Sequence, residues 1–409
     1  MFRKNAFIWT AILVALVLSS CDFLFGSRED DVVNEIFEEG AIPPDLGNGQ
    51  VGYVPILPFW EGFSNPVDVF VGYDEMVYVI DDVGLHVLDQ AGVRHRTIEI
   101  PGATDVTQDR RLHTYVVGRV NIDVGNDGSV ENLAAVYHFS GTAAAGEPQI
   151  LDTIIHPFSD ASRAITAFRG EEDEQVEFTG VTTLADNTLY VSRKGPRNST
   201  QAIARPDNAV LFFDKDGENV AFANDLSPLG SNLRSTWDIT GITGFAAPPQ
   251  SLAGISDSRD FIATLEGEGA DYRVLWLRRI SDPVLGVFFQ ENATLVATDP
   301  SKADRFLYEP GRFEKPVDVY VAPDFTGYIF VVDAGKDSLY QFTQRGYEGV
   351  NPPANTNITK QIIASFGGAG AGPFQFQEPS GVAYFRRTVY VADKGNGRIS
   401  RFKLSTDLE

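Results

Sequence analysis

The sequence predicts an all-β protein built from about six repeated units, and three observations carry that prediction. A four-residue signature recurs along the chain: a variable residue, then Val, Thr or Ser, then Asp or Gly, then Val or Ile. Each copy opens a stretch of alternating or β-branched residues, such as MVYVID (76–81), LHTYVVGRV (112–120), YIFVVD (328–333) and TVYVAD (388–393). Turn residues punctuate these runs, as at Gly141, Asp214–Gly217 and Asn126-Asp127-Gly128. A helical period is readable in one place, Ser159–Phe168. With 43% hydrophobic and 22% charged residues, the 409-residue chain has enough apolar material for a folded body and is not a disordered one.

In chain order, the first segment is a leader. Arg3 and Lys4 supply a positive start, and Ala6–Leu18 is an apolar run too short to span a bilayer comfortably. It ends in Leu18-Ser19-Ser20-Cys21, which resembles the bacterial lipobox: an aliphatic residue, two small residues and a cysteine. Cys21 is the sole cysteine and stands where lipidation needs a thiol. Residues 1–20 are therefore expected to be a lipoprotein signal peptide, cleaved before Cys21, with palmitate-type acylation tethering the chain to a membrane of the cell envelope. With one cysteine there is no intramolecular disulfide. Residues 21–50 read as an acidic tether, with Glu29-Asp30-Asp31, Glu38-Glu39 and Pro43-Pro44 and no apolar periodicity. Residues 51–409 form the repeat body.

The signature appears as Pro66-Val67-Asp68-Val69, Ala103-Thr104-Asp105-Val106, Phe178-Thr179-Gly180-Val181, Ile239-Thr240-Gly241-Ile242, Pro316-Val317-Asp318-Val319 and Pro379-Ser380-Gly381-Val382. The last unit continues as Tyr390-Val391-Ala392-Asp393-Lys394-Gly395-Asn396-Gly397-Arg398-Ile399, preceded by the Gly-rich run 367–372. That stretch resembles the NHL repeat. The unit from Phe313 is similar through Pro316, Val331-Val332-Asp333 and Gly335, but has Lys336, Asp337 and Ser338 where Asn and Arg would be expected. The unit from Phe63 is a partial match. The resemblance implies a six-bladed β-propeller with four antiparallel strands per blade, which closure protects from open sheet edges. It also implies that Asp333, Asp393, Gly395, Asn396 and Arg398 are structural. Val51–Leu57 is expected to supply the outer strand of the last blade and so lock the ring.

Charge bounds the partners. Lys plus Arg is 33 and Asp plus Glu is 56, a net charge of −23, which repels nucleic-acid backbones and argues against spreading on anionic lipid. The chain is expected to act as a monomer. Asp68, Asp105 and Asp318 share one repeat position at the start of the innermost strand. They either cap their own turns or converge on the axis, where they could hold a cation such as calcium. The Gly-rich run 367–372 lacks a following Lys-Ser/Thr and reads as an inter-blade linker. His86, His95, His113, His138 and His156 show no metal-ligand spacing and read as packing or surface residues. Asp214–Gly217 and Asn121–Glu131 read as hairpin turns, and Glu171–Glu174 as a solvated loop. Trp60, Trp237 and Trp276 are core residues or line a surface groove.

The function expected from these readings is an envelope-tethered binding or scaffold module for a ligand, glycan or envelope protein. Its variable loops are the insertions Pro157–Gln175, Ala223–Arg234, Asp299–Arg312 and Tyr347–Thr359. The alternative is a calcium-dependent hydrolase or lyase similar to the six-bladed lactonases.

Overall fold

The computed structural model describes residues 51–161, 163, 168–198, 206–223, 237–248, 254–284, 286–353 and 356–408; the leader, Cys21 and the acidic tether lie outside these. The described chain is a closed ring of six antiparallel sheets. Blade 1 comprises Asp68–Val71, Val77–Asp81, Gly84–Leu88 and Arg94–Glu99. Blade 2 comprises Asp105–Gln108, Thr114–Ile122, Glu131–Ser140 and Gln149–Ile155. Blade 3 comprises Glu177–Thr183, Leu189–Lys194, Ala209–Phe213 and Asn219–Ala223, and blade 4 Ile239–Thr243, Phe261–Leu265, Val274–Asp282 and Gly286–Glu291. Blade 5 comprises Pro316–Val321, Ile329–Asp333, Ser338–Phe342 and the short Phe366–Gly367.

Blade 6 takes Pro379–Phe385, Thr388–Asp393 and Arg398–Leu404 from the end of the chain and completes itself from the beginning. Tyr53–Pro55 pairs antiparallel with its third strand in the register Tyr53↔Leu404 and Pro55↔Phe402, and Trp60–Glu61 adds Trp60↔Ile399. The expected closure by an N-terminal strand is thus present. It removes the free edge that an open ring would leave.

The first strand of every blade faces the central channel, each lying beside the next, and Pro379–Phe385 returns to Asp68–Val71. Between blades, alternating side chains interdigitate into apolar layers. One continuous cluster spans blades 2 to 5, including Phe213, Phe261, Leu277, Val331 and Phe342, all essentially without solvent exposure. A second joins blades 5, 6 and 1 through Phe330, Phe376, Phe402 and Val71. Each blade alone would leave both faces wet, so stability comes from these shared layers.

The helix expected over 159–168 lies partly outside the described residues. What is described there is a turn at 156–159, followed by a single helical turn at Glu171–Glu174. The Ala223–Arg234 insertion also falls almost wholly outside. The insertions 299–312 and 347–359 touch each other: Phe306 pairs with Tyr347, and Leu307 donates its N–H to Gly346.

Candidate functional site

Four of the six inner strands carry a register shift at the same point, between Phe178 and Gly180, Ile239 and Gly241, Pro316 and Asp318, and Pro379 and Gly381. A bulge leaves one residue unpaired and re-aims its side chain. Here that residue is the second of the signature: Thr179, Thr240, Val317 and Ser380. All four line a cavity of about 340 Å³ at the end of the channel where inner strands begin and second strands end. Every blade contributes to its wall, with Val67, Thr104, Glu177, Lys194, Glu266, Lys315 and Lys394 completing the rim. The sequence repeat therefore marks the mouth of the channel, a role the signature alone does not reveal. A second, narrow cavity of about 30 Å³ lies against the same inner strands and is lined by Phe70, Val106, Ile242, Val319 and Val382, among others.

Asp68, Asp105 and Asp318 meet at the floor of the mouth, and they work between blades. Asp68 Oδ1 accepts from its own Val69 N–H at 2.7 Å, while Oδ2 accepts from Val106 of blade 2 at 2.9 Å. Asp318 repeats this with Val319 and with Val382 of blade 6, both at 2.7 Å. Asp105 Oδ2 accepts from Val181 of blade 3 at 3.0 Å. Capping of the local strand is thus half the arrangement, and stitching to the next blade is the other half.

At Gly180 and Gly381, glycine makes room for the aspartate of a neighbouring blade. A Cβ on Gly180 would lie 2.7 Å from Asp105 Oδ2, and one on Gly381 would lie 2.7 Å from Asp68 Cα. The glycine blades use hydroxyls instead: Thr240 donates to the Pro316 carbonyl at 2.7 Å and Ser380 to the Pro66 carbonyl at 2.8 Å. Blades 3 and 4 are joined by the Gly244 N–H donating to Thr182 Oγ1 at 2.9 Å.

Burial and mutual repulsion act on the three carboxyls together. Asp68 is pushed up to about 6 by burial, against the pull of the Val106 and Val69 N–H groups. Asp105 is raised well above the carboxylate range by burial and then by the charges of Asp68 and Asp318. Asp318 is raised by burial and by Asp68. Asp105 and Asp318 keep partial solvent contact through the mouth, yet protein crowds them on every other side. The trio does not form a calcium cage. Five of its six oxygens already accept backbone N–H groups, and among the described residues no group of three or more His, Cys, Asp or Glu is disposed around a metal position.

The charge at the rim is uneven. Lys194 sits 3.3 Å from both Glu177 and Glu266, so on blades 3 and 4 one ammonium is shared by two carboxylates. Lys315 and Lys394, on blades 5 and 6, have no ion pair among the described residues. Three of the chain's nine lysines thus converge on one cavity in a strongly acidic protein.

The repeat-motif residues lie in hydrogen-bonded networks around the ends of the second strands. Asp393 accepts from the Gln377 N–H at 2.8 Å, from Asn396 Nδ2 at 2.9 Å and from Arg398 Nε at 2.8 Å. Arg398 then donates to the carbonyls of Ala371, Gly372 and Gln375, and Gly395 N–H to that of Gln377, so the Gly-rich run is a linker wrapped around a guanidinium. Asp333 accepts from the N–H groups of Glu314, Lys315 and Gly335. Ser338, standing where arginine would be, caps the Lys336 carbonyl instead.

Glu171–Glu174 is not simply a solvated loop. Asp173 has no solvent exposure and lies 2.8 Å from Arg163 and 2.9 Å from His156. His86 is buried beside Asp81 at 2.7 Å, His113 and His138 share a 2.9 Å hydrogen bond, and His95 lies at the surface near Asp89. The tryptophans are dispersed. Trp60 is covered by Arg401, Trp276 donates to Asp260, and both Trp237 and Trp276 pack on the core of blades 2 to 5. Asp214 and Asp123 accept N–H groups within their own turns, at Asp216 and Glu218 and at Asp127 and Gly128. Among the described residues, none of the long insertions contributes a lining residue to the mouth; strand ends build it.

Against known families, the NHL repeat matches residues 376–402, the last blade. No curated protein matches the chain in sequence. Among solved structures, a structural genomics protein of unknown function from Bacteroides thetaiotaomicron VPI-5482 is 12% identical, with 87% of this chain covering 76% of that one at a TM-score of 0.51. An auxiliary nutrient binding protein from Bacteroides ovatus ATCC 8483 is 11% identical over 87% of this chain and 78% of that one, with a TM-score of 0.48. The PQQ-bound aldose sugar dehydrogenase of Streptomyces coelicolor is 12% identical over 87% and 99%, also at 0.48. At such identities the likeness is one of fold.

Proposed function

We propose that this six-bladed propeller is an exported binding module, held at the cell envelope by lipidated Cys21, that captures a small polar ligand at the mouth of its channel. The observation that carries this is the mouth cavity itself. At about 340 Å³ it lies in the size range of small-molecule sites, and all six blades line it with hydroxyl, ammonium and carboxylate groups. A ring of rigid strands holds these groups at low reorganisation cost, which favours affinity.

Two measurements test the proposal. Thermal melting of the purified protein against a panel of small polar solutes, neutral and charged, should find a class that raises the melting temperature saturably. A ligand at 100 times its Kd adds about 2.7 kcal/mol. A flat response across the panel would contradict ligand capture. Separately, metabolic labelling with an alkyne palmitate analogue should mark the chain and place it in the membrane fraction, and Cys21→Ser should abolish both. Unlabelled wild-type protein would contradict the anchor.

A further inference from the structure

The mouth is a cavity of mixed charge, and the repeat symmetry shows what is missing from it. In blade 3, Glu177 immediately precedes the signature and Lys194 ends the second strand; they pair at 3.3 Å. The position of Glu177 is Lys315 in blade 5, and the residue there that corresponds to Lys194 is Ala334, which offers no carboxylate. In blade 6 the Lys194 position is Lys394, while the counterpart of Glu177 is Glu378, which is exposed and does not line the cavity. The pairing within blade 3 is therefore absent from blades 5 and 6. Two ammonium groups stand on that wall beside the Ser380 hydroxyl, and Thr179 and Thr240 face them from blades 3 and 4.

From this we infer that the mouth takes a small hydroxylated monocarboxylate, of the sugar-acid class, with its carboxylate on the wall of Lys315 and Lys394 and its hydroxyls toward Thr179, Thr240 and the Glu177–Lys194–Glu266 group. The inference rests on the binding role proposed above. Three chemical points select this class. The rim carries three ammoniums against two carboxylates, and those of Lys315 and Lys394 have no ion pair among the described residues, so their wall has room for one negative charge. A phosphate dianion would bring a second charge against Glu177, Glu266 and the floor. Finally, the alternation of hydroxyl, amine and carboxylate around the rim suits a ligand bearing several hydroxyls, since each can both donate and accept.

The test is calorimetric titration of the purified protein with D-glucuronate, D-glucose and inorganic phosphate at one ionic strength, repeated on the Lys315→Ala/Lys394→Ala double variant. Both lysines are peripheral to the core, and circular dichroism checks that the variant is folded. The expected result is saturable 1:1 binding of glucuronate, at least tenfold weaker binding of glucose, and at least a tenfold loss for glucuronate in the variant. Glucose binding as tightly as glucuronate, or a variant indistinguishable from wild type, overturns the charge assignment and leaves ligand capture standing. Phosphate binding more tightly than glucuronate overturns the monocarboxylate choice. Binding of none of the three overturns this inference, while the melting panel decides separately on ligand capture.

Discussion

Blades 3 and 6 solve the same structural problem with opposite charges. Where the second strand ends, the incoming linker must be tied to the blade. In blade 6 the tie is Asp393, buried, collecting the Gln377 N–H, Asn396 and Arg398. The same strand position in blade 3 is Arg193, also buried, which donates to Asp160 and to the carbonyls of Pro206 and Asp207. A linker that presents N–H groups is met by an acid, and one that presents carbonyls is met by a cation. What the fold preserves at this position is pairing of the buried charge, whichever sign does it.

Blade 3 extends this network outward. Arg169 bridges Asp207 and Asp173, and Asp173 takes in Arg163 and His156. Three variants would break the comparison most sharply. Arg193→Met should cost about 3–5 kcal/mol, because it removes the buried ion pair with Asp160 and the donors to the Pro206 and Asp207 carbonyls. Asp393→Ala should cost a similar amount in blade 6 by stranding Arg398. Arg193→Asp with Asp160→Arg should not restore stability, since the Pro206 and Asp207 carbonyls would still lack donors. Urea unfolding checks all three, and full recovery in the double variant would show that pair charge alone matters.

The next effect sets the blade 3 network against the mouth through pH. In the network, Asp173 is held well below the carboxylate range by its hydrogen bonds from His156 and Arg163, which outweigh its burial, and burial pushes His156 down to about 4. Both values are depressed in the folded state. Their stabilisation is therefore present near neutrality; that of His156 is lost as pH falls from about 6.5 to about 4, and that of Asp173 only below the ordinary carboxylate range. The floor carboxyl of Asp68 is raised to about 6, so its contribution is present in acid and is lost as pH rises through 6. Hydrogen exchange should show amides around 156–176 losing protection between pH 6.5 and 4. The cost of Asp68→Asn should be smaller at pH 8 than at pH 5, by about 1–2 kcal/mol. A cost independent of pH would mean that Asp68 is ionised throughout.

The smallest effect belongs to the hydroxyl stitches. Thr240→Val and Ser380→Ala should each cost about 0.5–1.5 kcal/mol, less than either buried ion-pair variant. Chemical denaturation resolves this, and losses as large as those of Arg193→Met would place the ring closure at the mouth instead of in the layers.

These contrasts explain what could be read in the chain. Blade 6 was legible because Asp393, Gly395, Asn396 and Arg398 keep regular spacing within ten residues. Blade 3 kept only its opening signature because its tie has the reverse polarity, and its acid, Asp160, comes from an insertion. Asp173 sits in an acidic run that looks solvated, and His156, Arg163 and Arg169 gather around it in the fold. The signature itself was plain, but the bulge that turns its second residue toward the axis is a property of paired strands. Lys194, Lys315 and Lys394 are 200 residues apart at the extremes, and closure of the ring alone brings them to one cavity.

The central claim, that the mouth is the binding site, is tested most directly by reductive ¹³C-methylation of the lysines, which keeps their charge, followed by NMR titration with D-glucuronate. The predicted result is saturable movement of the Lys315 and Lys394 signals, with a smaller shift at Lys194 and none at lysines outside the mouth. Signals that stay still, or that drift together at every lysine, would contradict it.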